Sequence, residues 1–272
     1  MKMKKRYSII AILMLAVICL IPFSAFASSV SVTGLLDENS EEIARLNETS
    51  GQELYDETVA DELISYRSSD YGAELVSDEI TDDEIRNGVV KVTLPVFSFT
   101  DSDLKEMEVS QNINVVYSAD RPIAVFFSGF EDGEFKCLNL IGRQFAEEFD
   151  SALSEVENGD SEICLAASGL FFVANKEDEV VPASGSSISG DTEYDVVSLN
   201  EYINAVRDNA EYMKETDPDN ESVGGSYLLD FMYGKMKLDG GSSAVTAAVI
   251  CAAAAVAAVL SILIYRKKRY SA

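Results

Sequence analysis

Ile123-Ala124-Val125-Phe126-Phe127-Ser128-Gly129-Phe130-Glu131-Asp132-Gly133-Glu134-Phe135-Lys136-Cys137-Leu138 is the stretch that decides the fold class. The unbroken apolar run from Ile123 to Phe127 suits a strand buried on both faces. Asp132-Gly133 then separates it from a second apolar-rich run. An Asp-Gly pair in that setting is a strong hairpin signal, because a two-residue turn wants positive φ at both positions. Counting outward from the turn sets Cys137 opposite Ser128.

Upstream, Val90, Val92, Leu94 and Val96 alternate with their neighbours, as do Ile113, Val115 and Tyr117. That is the two-residue period of a strand. Downstream, Arg143 to Glu157 is predicted as a helix, with Phe145, Phe149, Leu153 and Val156 on one stripe and Asn158-Gly159 at its end. Strands resume at Glu162 to Ala167, at Leu170 to Ala174 and, after a turn at Lys176-Glu177-Asp178, at Glu179 to Ala183. Ser184 to Gly190 reads as a loop. Ser198-Leu199-Asn200-Glu201 has capping-box spacing and opens a helix with Ile203, Val206, Ala210 and Met213 on its apolar side.

Hairpins with helices between and after them predict an α+β domain over residues 89–215, with a mostly antiparallel sheet and packed helices. Residues 28–88 are acidic and partly helical, over Ser40 to Asn47 and Gln52 to Tyr66. A capping box at Thr81-Asp82-Asp83-Glu84 opens one more short helix there. Its few large apolar residues, Leu54, Val59, Leu63 and Ile64, suit a docked helix rather than a separate core. No internal repeat is visible.

The two ends have a different character. Lys2, Lys4, Lys5 and Arg6 precede an apolar run from Ser8 to Ile21, and Ala25-Phe26-Ala27 offers small residues for a signal peptidase. Residues 1–27 are therefore expected to be a cleavable signal peptide, cut between Ala27 and Ser28. Residues 244–265 contain no charge and are mostly Ala, Val, Ile and Leu. A helix of that length spans roughly 33 Å, enough for a hydrocarbon core. Arg266, Lys267, Lys268 and Arg269 follow as a stop-transfer cluster in a basic cytoplasmic tail, 266–272, with 216–243 as a juxtamembrane segment. The expected topology is a single-pass cell-membrane protein with its N-terminal domain extracytoplasmic. The short tail implies that any signal passes through a second membrane protein. Ala247, Cys251 and Ala255 are small residues four apart, a spacing that suits close helix pairing but is commonplace in so alanine-rich a run.

Composition narrows the chemistry. All 47 acids fall between residues 28 and 243, together with 13 of the 21 cations, a net charge of −34 for that region. Such a surface repels nucleic acid and anionic lipid, which excludes nucleic acid as a partner and favours cations and basic proteins. The chain has no histidine. Imidazole-based catalytic triads and His-ligated zinc are therefore excluded. Cys137 and Cys164 are the two exported cysteines; an oxidising compartment makes a disulfide between them plausible, and two separate buried thiols are the alternative.

Ser102-Asp103-Leu104-Lys105 and Ser110-Gln111-Asn112 match two short elements of penicillin-interacting serine enzymes, but no Lys-Thr-Gly or Lys-Ser-Gly completes the set. Asp217-Pro218-Asp219-Asn220-Glu221 is rich in oxygen ligands, yet Ser222 and Leu228 occupy positions where a calcium loop needs Gly and Glu. The acids Glu147, Glu148, Asp150, Glu155 and Glu157 read as the solvated face of their helix. No catalytic, cofactor or metal site is assigned. The expected function is a membrane-anchored binding or accessory module for a protein or cell-wall partner, held to the lipid bilayer by its C-terminal helix. A carboxylate-dependent surface hydrolase and an assembly partner of another membrane protein are the alternatives.

Overall fold

The computed structural model describes residues 30–68, 79–100, 104–156, 161–184, 195–216 and 225–235. The predicted leader 1–27, the apolar run 244–265 and the tail 266–272 lie outside them. Among the described residues no helix is long and apolar enough to cross a membrane. Val30–Met236 is one compact unit.

Its centre is an eight-stranded sheet built from two meanders. The first contains β1 (Val89–Phe99), β2 (Met107–Ser118), β3 (Arg121–Glu131) and β4 (Glu134–Ile141). The second contains β5 (Ser161–Ala167), β6 (Leu170–Asn175), β7 (Glu179–Ser184) and β8 (Val197–Ser198). The spatial order is β4-β3-β2-β1-β5-β6-β7-β8. Every neighbouring pair is antiparallel except β1 and β5, which run parallel with Val96 beside Cys164 and Phe97 beside Leu165. The α+β class with a mostly antiparallel sheet is thus as expected.

Turn chemistry sets each hairpin. Asp132 and Gly133 both take positive φ, 55° and 84°, and Ser128 pairs with Cys137 as counted from the turn. Ser168 and Gly169 make an equivalent turn between β5 and β6. Between β6 and β7, Asn175 Oδ1 accepts from the amides of Glu177 and Glu179 at 3.0 Å, and Asp178 takes φ 63° to close the loop.

The sheet is strongly curled. In a flat sheet, β3 and β6 would lie roughly 19 Å apart, four strand spacings. Yet the rings of Phe127 on β3 and Phe171 on β6 are 5.3 Å apart. Bulges in β1, β3 and the β3–β4 pair let the strands bend this far.

Among the described residues, six helices occupy positions before and within the sheet's chain order. They are α1 (Val32–Glu38), α2 (Ser40–Leu46), α3 (Gly51–Leu54), α4 (Ala60–Arg67), α5 (Asp82–Arg86) and α6 (Arg143–Glu155), with a π-helical turn at Tyr55–Val59 joining α3 to α4. The inside of the curl is filled by α6. Phe149, Ala146, Ala152 and Val156 are buried there, and Phe145 stacks on Phe149 and meets Phe171 edge-on at 5.5 Å. Two alanines on the inner side let the helix sit close to both limbs of the sheet.

The opposite face of the first meander is covered by α2 to α5. Leu54, Tyr55, Val59 and Leu63 pack on Val116, Ala124 and Phe126, and the Tyr55 hydroxyl donates to the Ile85 carbonyl. The π turn adds a residue where Tyr55 is pinned against Phe126, which keeps Leu54, Tyr55, Val59 and Leu63 all facing the sheet. Helices α7 (Leu199–Thr216) and α8 (Gly225–Met232) follow β8. Phe172 points away from its neighbours Phe171 and Val173 and meets Tyr202 of α7 at 4.9 Å, so α7 lies on the face opposite α6. Each meander is therefore followed by a helix, and the two helices take opposite faces. This repeats β-β-β-β-α about an axis along the β1–β5 seam, a duplication of topology that residue identities do not display.

The N-terminal helices belong to the same unit as the sheet. Asp178 Oδ1 accepts from the Val32 amide at 2.6 Å, while the Asp178 carbonyl accepts from the Leu199 amide at 2.7 Å. One turn residue thus anchors the first turns of both α1 and α7. The segment after α7 is also more than a spacer. Leu228, Leu229, Phe231 and Met232 of α8 are buried, and Tyr212 of α7 packs on Tyr227 and Phe231.

Of the two readings of the cysteines, the structure has the separate thiols. Cys137 and Cys164 are both free thiols. Three strands stand between β4 and β5, and the two side chains lie on opposite faces, Cys137 against the Leu54–Tyr55 cluster and Cys164 among the residues around Phe149. A disulfide needs Cα atoms within about 7 Å and facing Cβ vectors.

Candidate functional site

Strand alternation puts Thr93, Asn112, Asn114 and Ser128 on one face, where a two-sided sheet would show them to water. The helical layer buries the last three instead, with Asn112 2%, Asn114 0% and Ser128 1% exposed, while Thr93 stays exposed. Asn114 accepts from Thr93 Oγ1 at 2.9 Å and donates to Ser128 Oγ at 2.9 Å and to the Phe126 carbonyl at 3.3 Å. Asn112 donates to Asn47 Oδ1 at 2.9 Å. Amides and hydroxyls with mutual hydrogen bonds can fix the register between α2, α3 and the sheet, but they have no group that titrates near neutral pH. This cluster is a polar lock, and it closes over Gly51, whose missing Cβ would come within 2.3 Å of Asn114 Oδ1.

A second constellation joins the curl to α6. The Tyr117 hydroxyl donates to Asp150 Oδ1, and Lys91 Nζ lies 5.1 Å above the Tyr117 ring and 3.0 Å from Asp120. Burial and then the Asp150 hydrogen bond hold the Tyr117 phenol well above its ordinary range. That shift keeps it protonated, the wrong direction for a general base. Asp150 is thus a tether between helix and sheet, not part of a wholly solvated face. The other described acids of α6 remain outward: Glu147 pairs with Arg143 at 2.6 Å and Glu148 accepts from Gln144 at 3.0 Å.

Burial governs the thiols as well. Desolvation, with Glu62 nearby, pushes the Cys137 thiol up to about 11, and full burial pushes Cys164 further in the same direction. Thiolates are the reactive form, so both cysteines are held inert. On α7, burial and the neighbouring Glu211 raise the Asp208 carboxyl. Among the described residues no group of three or more His, Cys, Asp or Glu is placed to hold a metal ion.

The remaining candidate is an edge. β4 ends the sheet, eight residues long, and its side chains are exposed or half-buried throughout. Leu138 is 36% exposed and lies over Gly129, leaving 2.9 Å between Leu138 Cδ1 and the position of a Cβ there. At the turn end, Glu131, Asp132 and Glu134 surround Lys136, which pairs with Glu131. Glu62 acts on Cys137 in mid-strand, and beyond the other end Arg143 is shared by Glu79 and Glu147. The opposite edge, β8, is two residues long.

Ser102, Asp217 to Glu221, the Ala27–Ser28 junction and Arg266, Lys267, Lys268 and Arg269 lie outside the described residues. Asn112 of the second serine-enzyme element is in the polar lock. The sequence reading missed Asn112 and Asn114 as interior residues and missed β4 as an edge. The signal for the first was the pair Asn112 and Asn114, two residues apart and flanking Ile113 ahead of the apolar Val115-Val116. No protein-family model, curated protein or solved structure matches the chain.

Proposed function

We propose that the protein is a membrane-tethered extracytoplasmic binding or accessory module. In this reading the leader, cut between Ala27 and Ser28, exports the acidic unit, residues 244–265 cross the bilayer and Arg266, Lys267, Lys268 and Arg269 stay on the cytoplasmic side. The partner is a protein or wall component. The main support for the anchor is the uncharged run closed by four consecutive cations. A soluble core rarely contains a helix that is apolar all round and ends in this way.

Binding rather than catalysis is supported by the direction in which burial moves the potential nucleophiles and bases. Tyr55, Tyr117, Tyr202, Cys137 and Cys164 are all pushed up, toward their protonated and unreactive forms. Fractionation, protease shaving of intact cells and crosslinking in native membranes test this together. The expected outcome is a membrane-bound mature chain that starts at Ser28, is cleaved from outside and crosslinks to a specific protein or wall fragment. A soluble cytosolic chain with its leader attached refutes the proposal.

A further inference from the structure

Backbone groups along the outer side of an edge strand face water, and natural sheets usually protect such edges by shortening, twisting or covering them. β8 follows that rule at one end of this sheet. β4 departs from it in length: it is eight residues long, with a bulge at Leu138 and with Lys136 as tempering features, and no described residue pairs with its outer side. The rim has a definite charge. Among the described residues, Glu62, Glu79, Glu131, Asp132, Glu134 and Glu147 lie along β4 and its ends, against Lys136, Arg143 and Arg45, whose guanidinium lies 4.2 Å over the Phe130 ring. An incoming strand would therefore meet unpaired amides and carbonyls in its plane, exposed Leu138 on one side and an excess of carboxylates around it.

Resting on the reading of the protein as a binding module, we infer that β4 is its docking edge and that it takes an extended, cationic segment of a partner protein as a ninth, antiparallel or parallel strand. Main-chain hydrogen bonds would supply the affinity, and alternate Lys or Arg side chains would select the partner by its charge. A second copy of this chain fits poorly, because it would bring the same acidic rim against itself in a region whose net charge is −34, 13 cations against 47 acids.

The test uses the full-length protein in detergent and three acetylated, amidated octapeptides: alternating Lys-Val, the same peptide N-methylated at alternate amides, and alternating Glu-Val. Strand addition predicts saturable binding of the Lys-Val peptide and slowed hydrogen exchange confined to Glu134–Ile141. It also predicts a loss of about tenfold or more on N-methylation, which leaves charge intact while removing backbone donors. The double substitution Glu131→Gln with Glu134→Gln, both exposed positions, should weaken binding roughly threefold to tenfold and flatten its salt dependence.

Equal binding of the N-methylated peptide, protection elsewhere, or no saturable binding up to about 1 mM of the Lys-Val peptide would overturn the inference. So would protection of β4 by self-association in sedimentation experiments without peptide. If a partner crosslinked in native membranes leaves the β4 amides exchanging freely, this inference falls while the binding-module reading stands. If the chain proves cytosolic and soluble yet pairs the peptide on β4, the reverse holds.

Discussion

Replacing Gly51 by alanine should destabilise the protein, although helix propensity alone argues the opposite sign. Gly51 opens α3 behind an N-cap at Ser50, whose hydroxyl accepts from the Glu53 amide at 3.0 Å. Its backbone lies outside the left-handed region, so alanine meets no conformational strain. In an exposed helix the change would gain up to about 1 kcal/mol. Here the added Cβ would stand 2.3 Å from Asn114 Oδ1, 3.0 Å from its Cγ and 3.4 Å from Thr93 Oγ1. Asn114 is fully buried and held by three hydrogen bonds, so either it swings away or α3 lifts off the sheet.

Each buried polar group left without a partner costs about 1–3 kcal/mol. Losing two such bonds, less the helix gain, gives a net destabilisation of about 1–5 kcal/mol, or roughly 2–20 °C in melting temperature for a unit of this size. Thermal unfolding of the full-length chain, followed by far-UV circular dichroism in detergent, measures it. Asn114→Ala makes room for the methyl group, so Gly51→Ala in that background should cost much less, with a coupling of about 1–3 kcal/mol. Gly51→Ala alone melting at or above the parent temperature would refute the polar lock.

Three further outcomes follow from the same geometry. Alkylation without reductant should label two exported thiols, Cys137 slowly in the native protein because its thiol is held up near 11, and Cys164 only after unfolding; a mass lower by two hydrogens after denaturation would restore the disulfide. Burial holds Tyr55, Tyr117 and Tyr202 above the ordinary tyrosine value near 10. Their contribution to stability is therefore complete below that value and is lost as pH rises past it, so alkaline absorbance titration should release these phenols together with unfolding, and Tyr117→Phe should remove one from that late step. Glu84 and Glu201 are lowered by hydrogen bonds from the Thr81 and Ser198 backbone and side chains. Their support is present above the usual carboxylate value near 4.3 and fades as pH falls through the lower folded values. Glu84→Gln with Glu201→Gln should make melting temperature fall less steeply than in the parent below about pH 4.5, and parallel curves would contradict the assignment.

What was legible in the sequence is what local chemistry specifies. Asp132-Gly133 fixed a turn, a register and the Ser128–Cys137 pairing within sixteen residues. Both capping boxes form, with Thr81 and Glu84 exchanging bonds at 3.2 and 2.8 Å and Ser198 and Glu201 at 3.3 and 2.8 Å. The stripe of α6 was found through Phe149 and Val156, but its innermost residues include Ala146 and Ala152, which have too little apolar surface to stand out in a periodicity. Elements held by distant partners were missed. Seven-residue α1 depends on Asp178, far along the chain, and eight-residue α8 depends on the rings of Tyr212, Tyr227 and Phe231. Neither has a pattern long enough to announce itself. The parallel β1–β5 seam was equally hidden, since pairing between strands more than sixty residues apart has no local signature.

The polar lock and the docking edge were missed for one shared reason. Alternation in a strand says which residues share a face, but strand order and the surrounding layers decide what each face and each edge meets. Asn112 and Asn114 sit on a strand whose polar side reads as solvent-facing, and become interior because the helices before β1 cover that side. β4 has side chains of the same general kind as β2, yet β2 has a neighbour on both sides and β4 on one. A cationic strand could therefore add to β4 and not to β2. The acidity of the unit, which composition explains well enough as a solubility device, acquires a second consequence once the long edge and the carboxylates of Glu62, Glu131 and Glu134 are found in the same place.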